Sequence, residues 1–303
     1  MFYDAPQRCK AMNDPSGPVF IIGGSRTGSE MLKTMLSASP DLDFVDELFL
    51  LCPRWLHRDL NSNIAEHVGN LSDDCAVERL VELLYSGKPY GWFFSVGIHE
   101  LDREMLQSTL SRGPLTLKSI FQAVMIVHAH ARKKSGIGAK FPLHYSFAQT
   151  LLEWFPNCRL IHTTRNPKGT YASQAAKYIR GQTNPFARGF MRFRQFVHIN
   201  IQVSWTAHIH TKMKHLPNYR LVRYEDVVMQ PETELRRICD FIGTDFVPGM
   251  LSPHQYGSSF ESIGAGKGVD RSSLDRWQTS LQPITVKAID LLHPAANRVF
   301  GYR

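Results

Sequence analysis

Cysteine is scarce, with five residues at positions 9, 52, 75, 158 and 239 among 303. They form no CxxC pair and no Cys/His cluster at metal-ligand spacing, which argues against a disulfide scaffold and a structural zinc site; no metal is expected. No apolar run approaches the roughly 18 residues that span a bilayer. The opening segment MFYDAPQRCK lacks the basic start and apolar core of a secretory signal. A soluble, cytoplasmic protein with reduced thiols and no stable membrane insertion is the expectation. Internal repeats, low-complexity tracts and Pro/Gly/Ser linkers are also missing, so one domain over residues 1–303 is the simpler reading, although 257–268 is a Gly/Ser-rich loop.

What is present is ordinary globular material, 43% hydrophobic and 20% charged, with a formal net charge of +8. That charge favours anionic partners such as phosphate esters, sulfate or nucleic acid without choosing among them. Residues 18–24 read as a short buried strand running into a glycine turn, and 29–38 as a helix; 41–46 reads as a second strand. Helical patterns follow over 76–85, 101–111 and 119–134, then an extended piece at 137–141. Residues 147–155 read as a helix, 159–164 as a strand, and a helix opens at Pro167, where proline suits the first turn. A further helix covers much of 190–214, followed by a strand over 219–224 and a helix over 231–242. Short apolar strands alternating with helices predict an α/β, three-layer, P-loop-like fold, with a mostly parallel central sheet and helices on both faces.

The strongest local signal is Gly23-Gly24-Ser25-Arg26-Thr27-Gly28-Ser29, placed after an apolar strand and before a helix. Such a loop aims backbone N–H groups and a helix N-terminus at one spot, which suits phosphate or sulfate. The NTPase P-loop demands lysine where Ser29 stands, so the cation here is Arg26 inside the loop, whose guanidinium grips oxygen pairs bidentately. A second signal is Arg165-Asn166-Pro167 at the carboxyl end of the 159–164 strand, the edge at which open α/β sheets bind ligands, with Ser173 further along the next helix.

In this order and separation, the two signals resemble the sulfotransferases that use 3′-phosphoadenosine 5′-phosphosulfate, PAPS. The resemblance implies that Gly24, Ser25, Arg26, Thr27, Gly28 and Ser29 hold the 5′-phosphosulfate, and that Arg165 and Ser173 hold the 3′-phosphate. An arginine in the loop is closer to the bacterial, carbohydrate and tyrosylprotein branches than to the cytosolic branch, which has lysine and a catalytic histidine. Three further stretches are similar to family segments. Arg223-Tyr224-Glu225-Asp226 implies that Tyr224 lies against the adenine. Gly138-Ala139-Lys140-Phe141-Pro142 implies that Lys140 approaches the transferring sulfuryl group. Gly266-Lys267-Gly268, ahead of Trp277, implies that Lys267 and Gly268 close over the 3′-phosphate. Glu30 departs from the pattern, since it brings a carboxylate close to an anion site, and Ser29 replaces the commoner threonine while keeping a hydroxyl.

In the arginine-loop branches a glutamate shortly after the first helix resembles the base, and Glu47 fits that register, with Asp46 its local competitor because a one-residue shift swaps the side chain that faces the cleft. With Glu47 as base, Arg26 and Lys140 would stabilise the sulfuryl oxygens, and the products would be a sulfate ester and 3′-phosphoadenosine 5′-phosphate, PAP. Among 13 histidines, His99, His128, His130 and His144 are the plausible alternatives, His144 foremost because Lys140 is near; each reads individually as a packed or surface histidine. The stretch Phe186–Phe196, with Arg188, Arg192 and Arg194, invites a nucleic-acid reading, but core phenylalanines with solvated arginines are expected, and no nucleic-acid partner. Acceptor identity stays open among a small molecule, a sugar and a peptide, and so does assembly into a homo-oligomer. The alternatives are an atypical P-loop kinase or NTPase, lacking its lysine, and a non-catalytic nucleotide- or RNA-binding module.

Overall fold

The strand that begins the fold, β1 (Val19–Gly23), is buried along its whole length. Side chains alternate across a strand, and here Phe20 and Ile22 enter one core while Val19 and Ile21 enter another. That double burial requires layers on both sides. The computed structural model of the chain describes residues 17–46, 50–51, 60–86, 98, 100–252 and 271–302.

Helix α1 (Ser29–Leu36) follows β1, then β2 (Leu42–Asp46). A short helix α2 (Leu60–Asn63) runs into a π turn and is followed by α3 (Ala76–Ser86), α4 (Arg103–Leu110) and α5 (Leu117–Ala131). Next come β3 (Gly136–Lys140), a 3-10 segment (Pro142–Phe147), α6 (Ala148–Trp154) and β4 (Arg159–Thr164). Helices α7 (Pro167–Ile179) and α8 (Pro185–Met213) precede β5 (Tyr219–Arg223), and α9 (Tyr224–Met229) and α10 (Pro231–Ile242) follow it. The C-terminal part holds α11 (Arg276–Ser280), α12 (Pro283–Leu292) and α13 (Pro294–Phe300).

Among the described residues five strands form one parallel sheet, in the order β2-β3-β1-β4-β5. One face packs on α5 through Phe20, Phe121 and Phe155, whose rings lie 5.6–6.4 Å apart in pairs. The other packs on α1 and α10 through Leu32, Met35, Leu235 and Ile238. A third core joins α7, α8, α12 and α13. The three-layer α/β architecture read from the strand–helix alternation is therefore the one observed. Neighbours β1 and β4 lead into connections that depart to opposite sides, one toward β2 and the other toward β5, which opens a crevice at their carboxyl ends. Among the described residues no helix is long and apolar enough to cross a membrane.

Several boundaries differ from the sequence reading. Helix α8 starts at Pro185, with Asn184 Oδ1 accepting from the N–H groups of Phe186 and Ala187. Tyr224 opens helix α9 rather than ending β5, and helices α12 and α13 lie beyond anything the periodicity indicated. The phenylalanines at the start of α8 are not core residues. Phe186 is 90% exposed and Phe190 and Phe193 are each 66% exposed, whereas Phe196, at the end of that stretch, packs on Tyr171.

Candidate active site

The β1–α1 loop is shaped by its glycines. Gly23 (φ 138°) and Gly28 (φ 91°) occupy the backbone region that disfavours side chains, and Arg26 joins them at φ 67°. Space is as restrictive as backbone angle. A Cβ on Gly24 would lie 2.1 Å from Gln202 Nε2, and one on Gly28 would lie 2.5 Å from Cδ2 of Tyr224. Thr27 Oγ1 donates to the Gly24 carbonyl over 2.7 Å and lies 2.8 Å from Thr163 Oγ1, tying the loop to the end of β4. Gly28 is the N-cap of α1 and offers no side-chain cap. The N–H groups of the first turn are thus available to an anion, with the helix dipole behind them.

Two glutamines that the sequence reading did not identify brace this loop from below. Gln202, on α8, accepts from Ser25 N over 2.8 Å and donates to the Ser25 carbonyl over 3.2 Å. Gln174, on α7, faces Ser25 Oγ at 3.5 Å and donates to Gln195 over 3.3 Å. The available signal was polar residues recurring on the buried face of α8, where Gln195, Gln202 and Thr206 alternate with Ile199 and Val203.

Arg26 and Ser173, 147 positions apart, meet directly: Arg26 Nε donates to Ser173 Oγ over 2.9 Å. The first-loop arginine and the α7 serine therefore belong to one locus. Arg165 stands just past β4, its guanidinium carbon 4.2 Å from the centre of the Tyr224 ring. Arg165 Nη2 donates to the Ser273 carbonyl over 2.7 Å, and Tyr224 OH lies 2.6 Å from Ser273 Oγ. Since Tyr224 also abuts Gly28, one ring links the loop, the strand-end arginine and the C-terminal part of the chain. Behind it, Lys168 reaches Asp290 at 2.9 Å and lies 4.9 Å from the Trp277 ring.

Lys140 closes β3 and is paired in register with Asp46 at the end of β2. Its Nζ is 2.6 Å from Glu30 Oε2 and 3.1 Å from Asp46 Oδ1, with the side chain 4% exposed. Lys33 contacts the same two acids, at 2.9 Å to Glu30 and 2.5 Å to Asp46. Among the described residues, two lysines and two carboxylates thus form an ionic cluster beside the loop. Burial alone would raise the Asp46 pKa, but Lys140 and Lys33 outweigh it and hold the carboxyl below its ordinary value. A carboxylate so held is a poor proton acceptor, which disfavours Asp46 as base. Glu30, the departure from the family pattern, turns toward Lys140 rather than into solvent.

His144 is fully buried, its ring 4.7 Å from Phe141 and 5.6 Å from Phe121, a packed core position. His128 approaches Asp43 at 3.7 Å, away from the loop. Glu47, Lys267, Gly268 and His99 lie outside the described residues. No group of His, Cys, Asp and Glu that could hold a metal occurs among the described residues.

Known structures with the same fold include a sulfotransferase domain from the curacin biosynthetic pathway, at TM-score 0.56 and 19% identity over 95% of this chain and 98% of that one. The sulfotransferase domain of the Synechococcus PCC 7002 olefin synthase gives 0.54 and 21%, covering 94% of each chain. A mouse sulfotransferase complexed with PAP gives 0.50 and 13%, over 93% of this chain and 84% of that one. No curated protein matches the sequence. The model of the sulfotransferase family matches residues 18–248, a span that begins with the glycine loop's strand and takes in Arg165, Ser173 and Tyr224. With three quarters of its length matched by that model, the chain belongs to the sulfotransferase family.

Proposed function

We infer that the chain transfers a sulfuryl group from PAPS to an acceptor hydroxyl, releasing PAP. The observation that carries this reading is the Arg26–Ser173 contact at 2.9 Å, which sets the β1–α1 loop against helix α7 so that both motifs border one cleft. The donor's anionic groups fit the uncapped first turn of α1 and the cations beside it. Gly24 to Ser29 would hold the phosphosulfate end, Arg165 and Ser173 the 3′-phosphate, and Tyr224 the adenine, with Lys267 and Gly268 covering the 3′-phosphate. PAPS supplies a sulfuryl group on a mixed anhydride.

The protein's part is positioning, charge and proton removal. Arg26 and Lys140 would supply positive charge to the oxygens on which negative charge gathers, Lys140 from within its cluster with Glu30 and Asp46. Glu47 takes the proton of the acceptor hydroxyl, since its neighbour Asp46 is committed to two lysines. The acceptor is a small molecule, a sugar or a peptide. The free thiols of Cys75, Cys158 and Cys239 accord with a cytoplasmic setting.

The test is transfer of labelled sulfate from PAPS into an extract of host metabolites. Arg165→Ala should weaken PAP binding at least tenfold in calorimetry, and Glu47→Gln should cut turnover with PAP affinity nearly intact. Unchanged PAP affinity in Arg165→Ala and Arg26→Ala would reject the site, and full turnover in Glu47→Gln would reject the base.

A further inference from the structure

Helix α8 is apolar on two sides. Its inner side packs through Ile199 and Val203. Its outer side carries Phe186, Phe190, Phe193, Val197 and Ile201, spaced at three and four residues, so that they form one line over about 22 Å of helix. Their exposures are 90%, 66%, 66%, 40% and 53%. Monomeric proteins rarely leave a contiguous apolar line of this extent open to water.

The charge along this part of the sequence is of one sign. From Trp154 to Tyr224 the sequence contains twelve lysines and arginines and not one aspartate or glutamate. The rest of the chain therefore carries an excess of acid, although the total is +8. Arg188, Arg192 and Arg194 are exposed on the same turns as the phenylalanines, Arg194 flanking their line and Arg188 and Arg192 on the opposite side of the helix. Where α7 meets α8, Tyr178 is 40% exposed and is approached by two cations, Lys177 at 5.5 Å and Arg194 at 5.8 Å.

We propose that the outer face of α8 docks on an anionic lipid surface, with its phenylalanines among the acyl chains and its arginines at the phosphate level. Aromatic side chains along one helix line, with Arg194 at its flank, Arg188 and Arg192 on the opposite face and no acid on the helix, are the pattern of a helix lying in the membrane interface. The helix does not meet the requirements for a span, so it lies on the bilayer rather than across it. Charge complementarity selects this occupant over a second copy. A two-fold contact through the phenylalanine line would bring Arg194 toward its own copy with no acid on either helix to offset it, and would leave Arg188 and Arg192 facing away from the contact, whereas a lipid surface engages both faces. Single-stranded nucleic acid is recognised in charged grooves, whereas this face is a convex helix whose line passes through the aliphatic Val197 and Ile201 before Trp205. The proposal is independent of the donor-site assignment.

The experiment is cosedimentation of the full chain with phosphatidylcholine vesicles and with vesicles containing about one-third phosphatidylserine, an anionic lipid that attracts basic segments. Binding to the anionic vesicles should exceed binding to the neutral ones at least tenfold and should weaken as salt is raised. Phe190→Ser with Phe193→Ser, and separately Arg188→Gln with Arg192→Gln and Arg194→Gln, should each reduce it about tenfold without changing the melting temperature. Phe186→Ser, at a side chain already 90% in water, gives a further variant that cannot act through folding. Equal binding to both vesicle types, or full binding by the variants, overturns the proposal. So does a dimer in sedimentation that Phe186→Ser dissolves while vesicles capture nothing, or tighter binding to single-stranded RNA than to anionic vesicles.

Discussion

Replacing Gly28 with alanine should disable the donor loop through a residue nearly two hundred positions away. At φ 91° an alanine meets the left-handed penalty, about 1–2 kcal/mol. The new Cβ would also stand 2.5 Å from the Tyr224 ring. Carbon atoms rest about 3.5–4.0 Å apart, so the ring must retreat by roughly 1 Å. It cannot do so without loosening its 2.6 Å contact with Ser273 and the Arg165 guanidinium 4.2 Å from its centre. Those two interactions contribute about 1–2 kcal/mol together, which brings the expected loss to about 2–4 kcal/mol. Urea unfolding measures the stability part, and calorimetry with PAP measures how much reaches the site. The decisive comparison is a double-mutant cycle. In a Tyr224→Ala background there is no ring to displace, so Gly28→Ala should cost only the backbone penalty and the coupling should be about 1–2 kcal/mol. An identical cost in both backgrounds would refute the steric argument.

Asp46→Asn should destabilise the protein by about 2–3 kcal/mol, near the lower end for a broken buried pair because Glu30 still holds both lysines. Since the Asp46 pKa is depressed in the fold, its contribution is present at neutral pH and lost on acidification, and the variant should show a flatter acid limb in urea titrations. Glu30→Gln removes one negative charge from a cluster of two lysines and two acids, and PAP affinity should rise several-fold at low salt; unchanged affinity would mean that this charge does not reach the donor site. His162 is driven down to about 3 by burial first and by His210 second, and its Nδ1 lies 2.6 Å from Tyr219 OH. The unfolded chain takes up this proton near the ordinary value and the native state does not. Stability should therefore fall by roughly 2 kcal/mol from this residue between about pH 7 and pH 5, and a flat profile would contradict a neutral buried ring.

Strand β4 and helix α10 match their sequence-read limits because each has a local mark at both ends. Strand β4 has Arg159 at its start and Arg165-Asn166-Pro167 just past its end, and α10 has Pro231 at its start and Gly243, at φ 74°, after its end. Helix α8 was read late by five residues, since its first turns bury nothing and periodicity has no purchase there; the mark was the Asn184-Pro185 pair. The same turns misled the reading of Phe186, Phe190 and Phe193, because residue type alone places phenylalanine inside. The glycine loop, Arg165 and Ser173 were legible as short motifs. The partners of Lys140 were not, since Asp46 reaches it by register between parallel strands, and Gln202 reaches Ser25 across 177 positions.

The β1 strand lies in the middle of the sheet and is zipped to β3 on one side and β4 on the other. Its last residue, Gly23, is still matched to Thr163. The upstream foot of the glycine loop is thus pinned by the β4 ladder. Its downstream foot is held as well, with Arg26 on Ser173, Thr27 on Thr163 and Gly28 against the Tyr224 ring. An incoming anion therefore meets a socket clamped at both feet rather than a closing hinge.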